Sequence, residues 1–507
     1  FEKSERIANV IVNPSNSQEV YVAVLGALWG DSEERGVYKS NDGGTTWEKL
    51  LYVDQKTGCA DLTMDPSDPN VLYASMWEFR RTGWSFESGG ANSALYKSTD
   101  ANSVVWNKVS LPAIPGETSP YEPNDIEIGA DNTIWIGTER NVWGDGGGTV
   151  LKSTNGTSFT SVHTETNGRR VELAVSKQNA NTIYALIQVR TTDASSNTIA
   201  PYLKMRKTTN GFTSTSVLAL PDDADNGISA DDFTRGQAWY DLVIEVDPTD
   251  DTKIYAGGID LFRSTNSGVS WTKISKWSNN NNLAGLNIPL VHADQHGWAF
   301  HPTDANKAVI GNDGGVYYAT SLSGAESSAT AIVSRNKDYN VTQFYHGEIG
   351  QSTTNKLLLS GAQDNGTQFI NGAGVGVNSS VSMRGGDGAY TFIDKDGGYA
   401  IAAYVYNNYN RYNLPYTGSR VVISAEDGKA TGSGLYTGSF INPADLDDNL
   451  DILYTNGATG ASGSRVGSIA RFSSITTSSP FRFNLTNALL DDDATTIKVS
   501  PYTTTST

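Results

Sequence analysis

At 507 residues, with 55 acidic against 37 basic side chains and a formal charge of −18, the chain is long enough for a large core and for more than one ordinary domain. That charge argues against nucleic acid, whose phosphates need a basic surface. No apolar run approaches the roughly 18 residues of a membrane-spanning helix, so no membrane insertion is expected. The single cysteine, Cys59, rules out an intrachain disulfide or a cysteine zinc cluster and reads as a small core residue.

In chain order, one phrase keeps returning: a β-branched run, a turn written Asx-Pro-x-Asx, and a second apolar strand. RIANVIVNPSNSQEVYVAVLG opens it at residue 6, DLTMDPSDPNVLYASMW follows at 61 and DIEIGADNTIWIGTE at 125. Further copies begin at 171, 242, 298, 344, 389 and 439, and TTIKVSP at 495 starts one more without a partner strand. A second phrase alternates with the first. Val37-Tyr38-Lys39-Ser40-Asn41-Asp42-Gly43-Gly44-Thr45-Thr46-Trp47 is a strand closed by a Ser-x-Asp-x-Gly-x-Thr-Trp turn, with weaker copies at 95–106, 151–159, 206–212 and 261–271. Its Ser and Asp side chains can accept backbone N–H bonds, its glycines supply positive φ, and its Trp can pack back under the hairpin.

Each unit therefore reads as four antiparallel strands, and helical periodicity is nearly absent. A radial array of such units is an all-β propeller, with Trp47, Trp106 and Trp271, and the smaller Phe159, as packing wedges. Nine units and a remnant exceed one typical ring of about 4–8 blades. They imply either two rings or one unusually large ten-bladed ring. The Asn-rich interval Lys276–Val291 is the most linker-like, giving expected domains 1–285 and 286–507. No charged and apolar leader opens at Phe1 and the last unit stops after one strand. The natural protein is therefore expected to extend beyond both ends, with any export signal removed or outside this stretch.

The turns resemble Asp-box, or BNR, repeats of sialidases, sortilin-type propellers and the xyloglucan-hydrolase family. The longer phrases VAVLGALWGDSEERGVYKSNDGGTTWEKLLYVDQKTG, VHADQHGWAFHP, GNDGGVYYATS, TQFYHGEIG, GAQDNGTQF and GGDGAYTFID resemble a bacterial family of large secreted repeat proteins, sortilin-like or glycosyl-hydrolase-like, and GQAWYDLVIEVDP and GGIDLFRSTNSGVSW resemble its Bacteroidetes members, which commonly use type IX secretion. That resemblance implies two seven-bladed rings, an extracellular or cell-surface location, and a hydrolase label resting on shared turns.

Topology narrows the site. If the first strand of a unit runs down, the loop entering it and the loop leaving the second strand share the top face, while the Ser–Asp turns lie below. Leaving loops then carry Trp29, Asp31, Glu34 and Arg35; Arg80, Arg81 and Trp84; Arg140 and Trp143; Asp313; and Asp364. Entering loops carry Trp239 with Asp241, the triplet His292-x-Asp294-x-His296, and Arg384 with Asp387. Rings stack on sugar faces while charged and amide groups bond hydroxyls, so this mixture suits a polysaccharide, or else a protein ligand. Asp31, Glu34, Asp294 and Asp387 are candidates for the carboxyl pair that glycoside hydrolysis requires. His292, Asp294 and His296, if extended, could turn to one side and hold a divalent metal. The acidic loops at Asp222–Gly227 and Asp445–Asn449 lack the EF-hand pattern, leaving Ca²⁺ or another divalent ion as the only cofactor class suggested. Three functions follow as alternatives: an extracellular binding propeller, a xyloglucanase-like hydrolase, or a structural part of a surface or secretion assembly.

Overall fold

Alternating apolar residues, β-branched runs and Asx-rich turns leave the chain little choice but short antiparallel strands. The computed structural model describes residues 4–502, apart from 83–85, 193–197, 200–201, 279–282, 352–355, 377, 427–435 and 462–463. Among the described residues there is no α-helix, and no helix long and apolar enough to cross a membrane. The chain is a multi-blade β-propeller whose described residues form nine antiparallel blades, eight of them four-stranded and the second with an extra short strand paired to its second strand, each ordered first to fourth along the sequence.

Two compact units divide at Lys337/Asp338. The first holds six blades, spanning 7–51, 57–108, 122–164, 168–218, 243–273 and 295–334. The second holds three, at 346–384, 391–426 and 444–485. The expected boundary at 285/286 lies within the first of these units. Residues flanking the Asn-rich interval are closed into a loop by a Lys276–Leu290 bridge. The sixth blade shares a core with the fifth, where Tyr255, Leu261 and Ile274 meet Val291, Ala308 and Ile310. The TTIKVSP remnant forms no strand but lies along the ninth blade, where Val499 N–H donates to Asp445 Oδ2 at 2.6 Å.

All five Ser–Asp-type turns connect third to fourth strands, and three of them use the same pair of bonds, while Ser98–Asp100 and Ser153–Asn155 accept N–H groups two or three residues on. Ser40 Oγ accepts Gly44 N–H at 2.8 Å and Asp42 Oδ1 accepts Thr46 N–H at 2.8 Å. Ser264 and Asn266 do the same for Gly268 and Ser270, both at 2.9 Å, and Thr208 with Asn210 serves Phe212 and Ser214, both at 3.0 Å. The Thr46 hydroxyl, which donates to Asp42 Oδ2 at 2.6 Å, together with the Thr46 N–H and the Ser40 hydroxyl, pulls the Asp42 carboxyl down to about 2.

The turns of blades two to five dock on the blade before them. An aromatic ring on the second strand (Tyr21, Tyr73, Trp135 or Tyr184) is covered by a lysine from the third strand, with Nζ 4.8–5.2 Å from the ring centroid. The pair then reaches the next blade's turn: Tyr21 O–H donates to Ala101 O at 3.3 Å, and Lys207 Nζ to Ser267 Oγ at 2.9 Å. The turn's own aromatic fills the seam. Trp106 packs on the core shared by blades one and two, Phe159 is buried between two and three, and Trp271 covers the core between four and five. The wedge role holds for Trp106, Phe159 and Trp271, whereas Trp47 packs on Val22, Val24 and Tyr38 of its own blade, and Cys59 is a fully buried core residue as expected.

Candidate functional site

Antiparallel four-strand order sends each second-to-third loop and each entry into a following blade out at one end. The first strands of consecutive blades lie side by side at the centre of the first unit. The second-to-third and entering loops of that unit carry the unusual side chains singled out in the sequence.

On blades one and two, Trp29 is 44% exposed, and the Arg81 guanidinium lies 5.2 Å from its ring centroid. Arg80 forms an ion pair with Asp31. Trp77 stacks on Phe79 at 4.6 Å and meets the exposed Phe86 edge-on at 6.0 Å. Arg35 is not part of this surface. It is wholly buried, with Nε 2.7 Å from Gln55 O, Nη2 at 2.6 and 3.1 Å from Ala27 O and Gly30 O, Nη1 on Leu25 O, and its guanidinium 4.5 Å from the Phe79 ring centroid. A loop carrying four inward carbonyls needs a donor fork at its centre, and Arg35 supplies it. Ser32 Oγ accepts Glu34 N–H at 3.1 Å, helping to shape the same loop. Trp84 falls outside the described residues.

On blade three, Trp143 is 53% exposed, on a loop where Asn141 Oδ1 accepts Trp143 and Asp145 N–H at 3.1 and 2.9 Å. Arg140 Nε donates to Gly144 O at 2.7 Å. Glu139 stands opposite Glu122 across the first two strands. Burial pushes Glu122 well above the carboxylate range and lifts Glu139 to about 7, with Arg170 opposing and Glu172 reinforcing the latter.

Between blades four and five, Arg170 gathers the carbonyls of Trp239, Tyr240 and Leu242 at 3.4, 2.8 and 3.5 Å while its Nε bonds Glu172 at 2.8 Å. Trp239 is left 52% exposed. The His292–Asp294–His296 triplet is not extended, because Asp294 has φ +64°. His292 Nδ1 lies 3.1 Å from Ala293 O with its ring against Gly314, whereas His296 Nε2 sits 2.6 Å from Asp313 Oδ1. Asp313, whose carboxylate also accepts the Tyr240 O–H, takes the neighbouring position the sequence reading gave to His292.

The loop at 222–227 is held by cations of the chain itself. Arg235 Nη2 lies 2.8 Å from Asp223 and 3.1 Å from Asp225, and Lys273 Nζ donates to Asp223 O at 2.7 Å. In the second unit, Asp445 pairs with Lys498 at 3.2 Å. Asp387 Oδ1 accepts Asp364 N–H at 3.0 Å, with Asp364 at φ +60°. Arg384 does not face Asp387 as a charge partner. It ties blades seven and eight together through Ala402 O at 3.0 Å and Asn408 Oδ1 at 2.6 Å, and burial lowers its pKa to about 10.

One set of residues escaped sequence reasoning. The first strands of blades two to five carry Asp61, Asp125, Glu127, Glu172 and Glu245. The signal was present as an acid inside each otherwise apolar repeat phrase: DLTM, DIEI, VELAV and VIEV. Amides answer some of them: Asn9 Nδ2 donates to Asp61 at 2.9 Å and Asn124 Nδ2 to Glu172 at 2.7 Å. Burial pushes Asp61 to about 6 and Glu127 to about 7, and Asp125 and Glu245 well above the ordinary range, with neighbouring carboxylates adding to the effect. A raised carboxyl binds more protons folded than unfolded, so the stability it contributes is complete below the ordinary carboxylate pKa of about 4. That contribution is lost as pH rises through the folded value. The thermal midpoint is therefore expected to be higher at pH 5 than at pH 8, and Glu127→Gln should narrow the gap. A midpoint that rises from pH 5 to 8 would contradict this.

These features define an all-β propeller with an aromatic, charge-studded loop face. No family model matches the chain and no curated protein matches it. Among solved structures it is similar to the GH74 enzyme of Niastella koreensis, at 13% identity and TM-score 0.38, over 96% of this chain and 75% of that one. It is similar also to the GH74 xyloglucanase of Xanthomonas campestris, at 13% and 0.37 over 93% and 70%. YCF48 from Cyanidioschyzon merolae is similar at 13% and 0.33 over 61% and 93%. At such identities the likeness concerns the fold.

Proposed function

We propose that the chain belongs to a secreted or cell-surface propeller that binds a neutral polysaccharide through the loop face of its first unit. The observation that carries this reading is the set of large rings left in water on those loops. Trp29, Trp143 and Trp239 are 44, 53 and 52% exposed, each beside an arginine or a fixed turn. Burial of apolar surface would drive these rings inward, so rings held outward on structured loops suit ligand stacking. Sugar C–H faces stack on indoles while Arg80, Arg81 and Arg140 can donate to hydroxyls. A chain at −18 repels polyanions, which favours an uncharged glycan.

Affinity electrophoresis against soluble neutral polysaccharides tests the reading. Retention is expected, with Trp29→Ala, Trp143→Ala and Trp239→Ala each weakening binding about tenfold, or roughly 1.4 kcal/mol. Failure to retain any neutral glycan, or variants that bind like the parent, would reject it.

Hydrolysis is a second reading, favoured by the opposed Glu122 and Glu139 with Glu139 lifted to about 7. A general acid must stay protonated near neutrality, and burial supplies that condition here. Release of reducing sugar that Glu139→Gln abolishes would select it, whereas binding without turnover leaves the first reading.

A further inference from the structure

The three exposed tryptophans are held in different ways. Trp143 rests on bonds within its own loop, and Trp29 on the face of one arginine. Trp239 sits on a tight turn that enters blade five, where the N–H groups of Tyr240 and Asp241 both donate to Gln237 O, at 2.7 and 3.0 Å. Ala238 anchors the inner side of that turn in the core shared by blades four and five, while Trp239 and Tyr240 are left exposed on the outer side. A turn of this kind points its next carbonyls away from any strand partner, and they need a donor from elsewhere.

Arg170, at the start of blade four, is that donor. Its Nη1 donates to Tyr240 O at 2.8 Å and lies 3.4 Å from Trp239 O, and its Nη2 lies 3.5 Å from Leu242 O. The guanidinium is itself held. Its Nε donates to Glu172 Oε1 at 2.8 Å, and Asn124 Nδ2 of blade three donates to the same oxygen at 2.7 Å and to Val171 O at 3.1 Å. The side chains of Arg170 and Glu172 are largely buried, which shields these bonds from competing water. A planar fork can serve several carbonyls from one orientation only, and Glu172 sets it. One line of hydrogen bonds thus runs from blade three through blade four to the turn that carries Trp239.

We infer that Arg170 is the positioning residue of Trp239: oriented by Glu172 and Asn124, it fixes the turn that presents the indole to a sugar and does not itself touch the ligand. This role presupposes glycan binding by the first unit. A ring on a loose turn loses conformational freedom when a ligand stacks on it, so ordering the turn beforehand strengthens binding. Removing the fork costs the contribution of Trp239 and leaves those of Trp29 and Trp143 as they were, because neither of these rests on Arg170.

Two measurements on the whole chain test this. On the neutral polysaccharide that retains the parent, Arg170→Met should weaken binding about tenfold, as Trp239→Ala does. Added to Trp239→Ala it should weaken binding no further, whereas added to Trp29→Ala the two losses should multiply to about a hundredfold. A substitution that merely loosened the fold would multiply with both, and Arg170→Lys should restore part of the loss. The second measurement needs no glycan. With fluorotryptophan in the chain, the fluorine resonance of Trp239, assigned by its loss in Trp239→Phe, should be single in the parent and broadened or split in Arg170→Met, while that of Trp143 stays in place. Asn124→Ala, which removes only the outermost bond, should move the same resonance and serves where Arg170→Met does not fold. A responsive Trp239 resonance without retention on any glycan would reject the binding reading and keep the positioning role. An unmoved Trp239 resonance, or losses that multiply when Arg170→Met is added to Trp239→Ala, would overturn the assignment.

Discussion

Arg35→Ala is expected to lower the stability of the chain by about 3–5 kcal/mol, a large effect for a residue in a surface-type loop. Four main-chain carbonyls (Leu25, Ala27, Gly30 and Gln55) converge on one guanidinium that has no solvent exposure. Removing it strands those acceptors away from water, and each unsatisfied group costs about 1–3 kcal/mol before relaxation. The ring of Phe79, 4.5 Å from the guanidinium, would face a void as well. Arg35→Lys should recover only part of the loss, since an ammonium cannot span the same fork. Denaturant midpoints of the three chains check this, and a midpoint for Arg35→Ala within error of the parent would return Arg35 to the ligand-binding face.

Trp271→Ala is expected to cost a similar 3–5 kcal/mol. With Leu218 and Leu220, the indole covers the core in which Tyr184 and Met205 of blade four meet Ile254 and Phe262 of blade five. Its Nε1–H donates to Ala219 O at 2.8 Å, so truncation opens a seam and frees a carbonyl together. Trp143→Ala provides the contrast: half in water and outside the core, it should change stability by no more than about 0.5 kcal/mol. Equal melting temperatures for Trp271→Ala and the parent would remove the wedge from the account of the fold.

The architecture was legible because its information is local. A Ser or Thr that accepts an N–H a few residues on, followed by an Asx that does the same, occupies a short stretch of chain, and five such turns in one direction, three with identical bonds, define a repeat. Burial is not local. Arg35 and Arg384 look from the sequence like loop charges, yet the former is sealed by Gln55 and Phe79, and the latter bonds Ala402 and Asn408 on the next blade. The His292–Asp294–His296 triplet failed for a related reason. Alternation in sequence implies one shared side only for extended backbone, and Asp294 at φ +64° breaks that premise. The Asn-rich interval suggested a linker by composition, but composition does not report that Lys276 and Leu290 pair across it. Asp313 was visible as turn chemistry, and only folding sets it beside His296 and Tyr240.

The lysine-capped ring on each second strand has a consequence for how such a chain can change length. Blades one to four offer the next blade nearly the same socket, Tyr or Trp under Lys, and the turn that enters it is built on one pattern of Ser or Thr and Asx. A duplicated segment of about one blade would thus arrive with a matching plug on one edge and a matching socket on the other. Copy number can drift by whole modules without a new seam having to be invented, while the loops at the open end diverge freely.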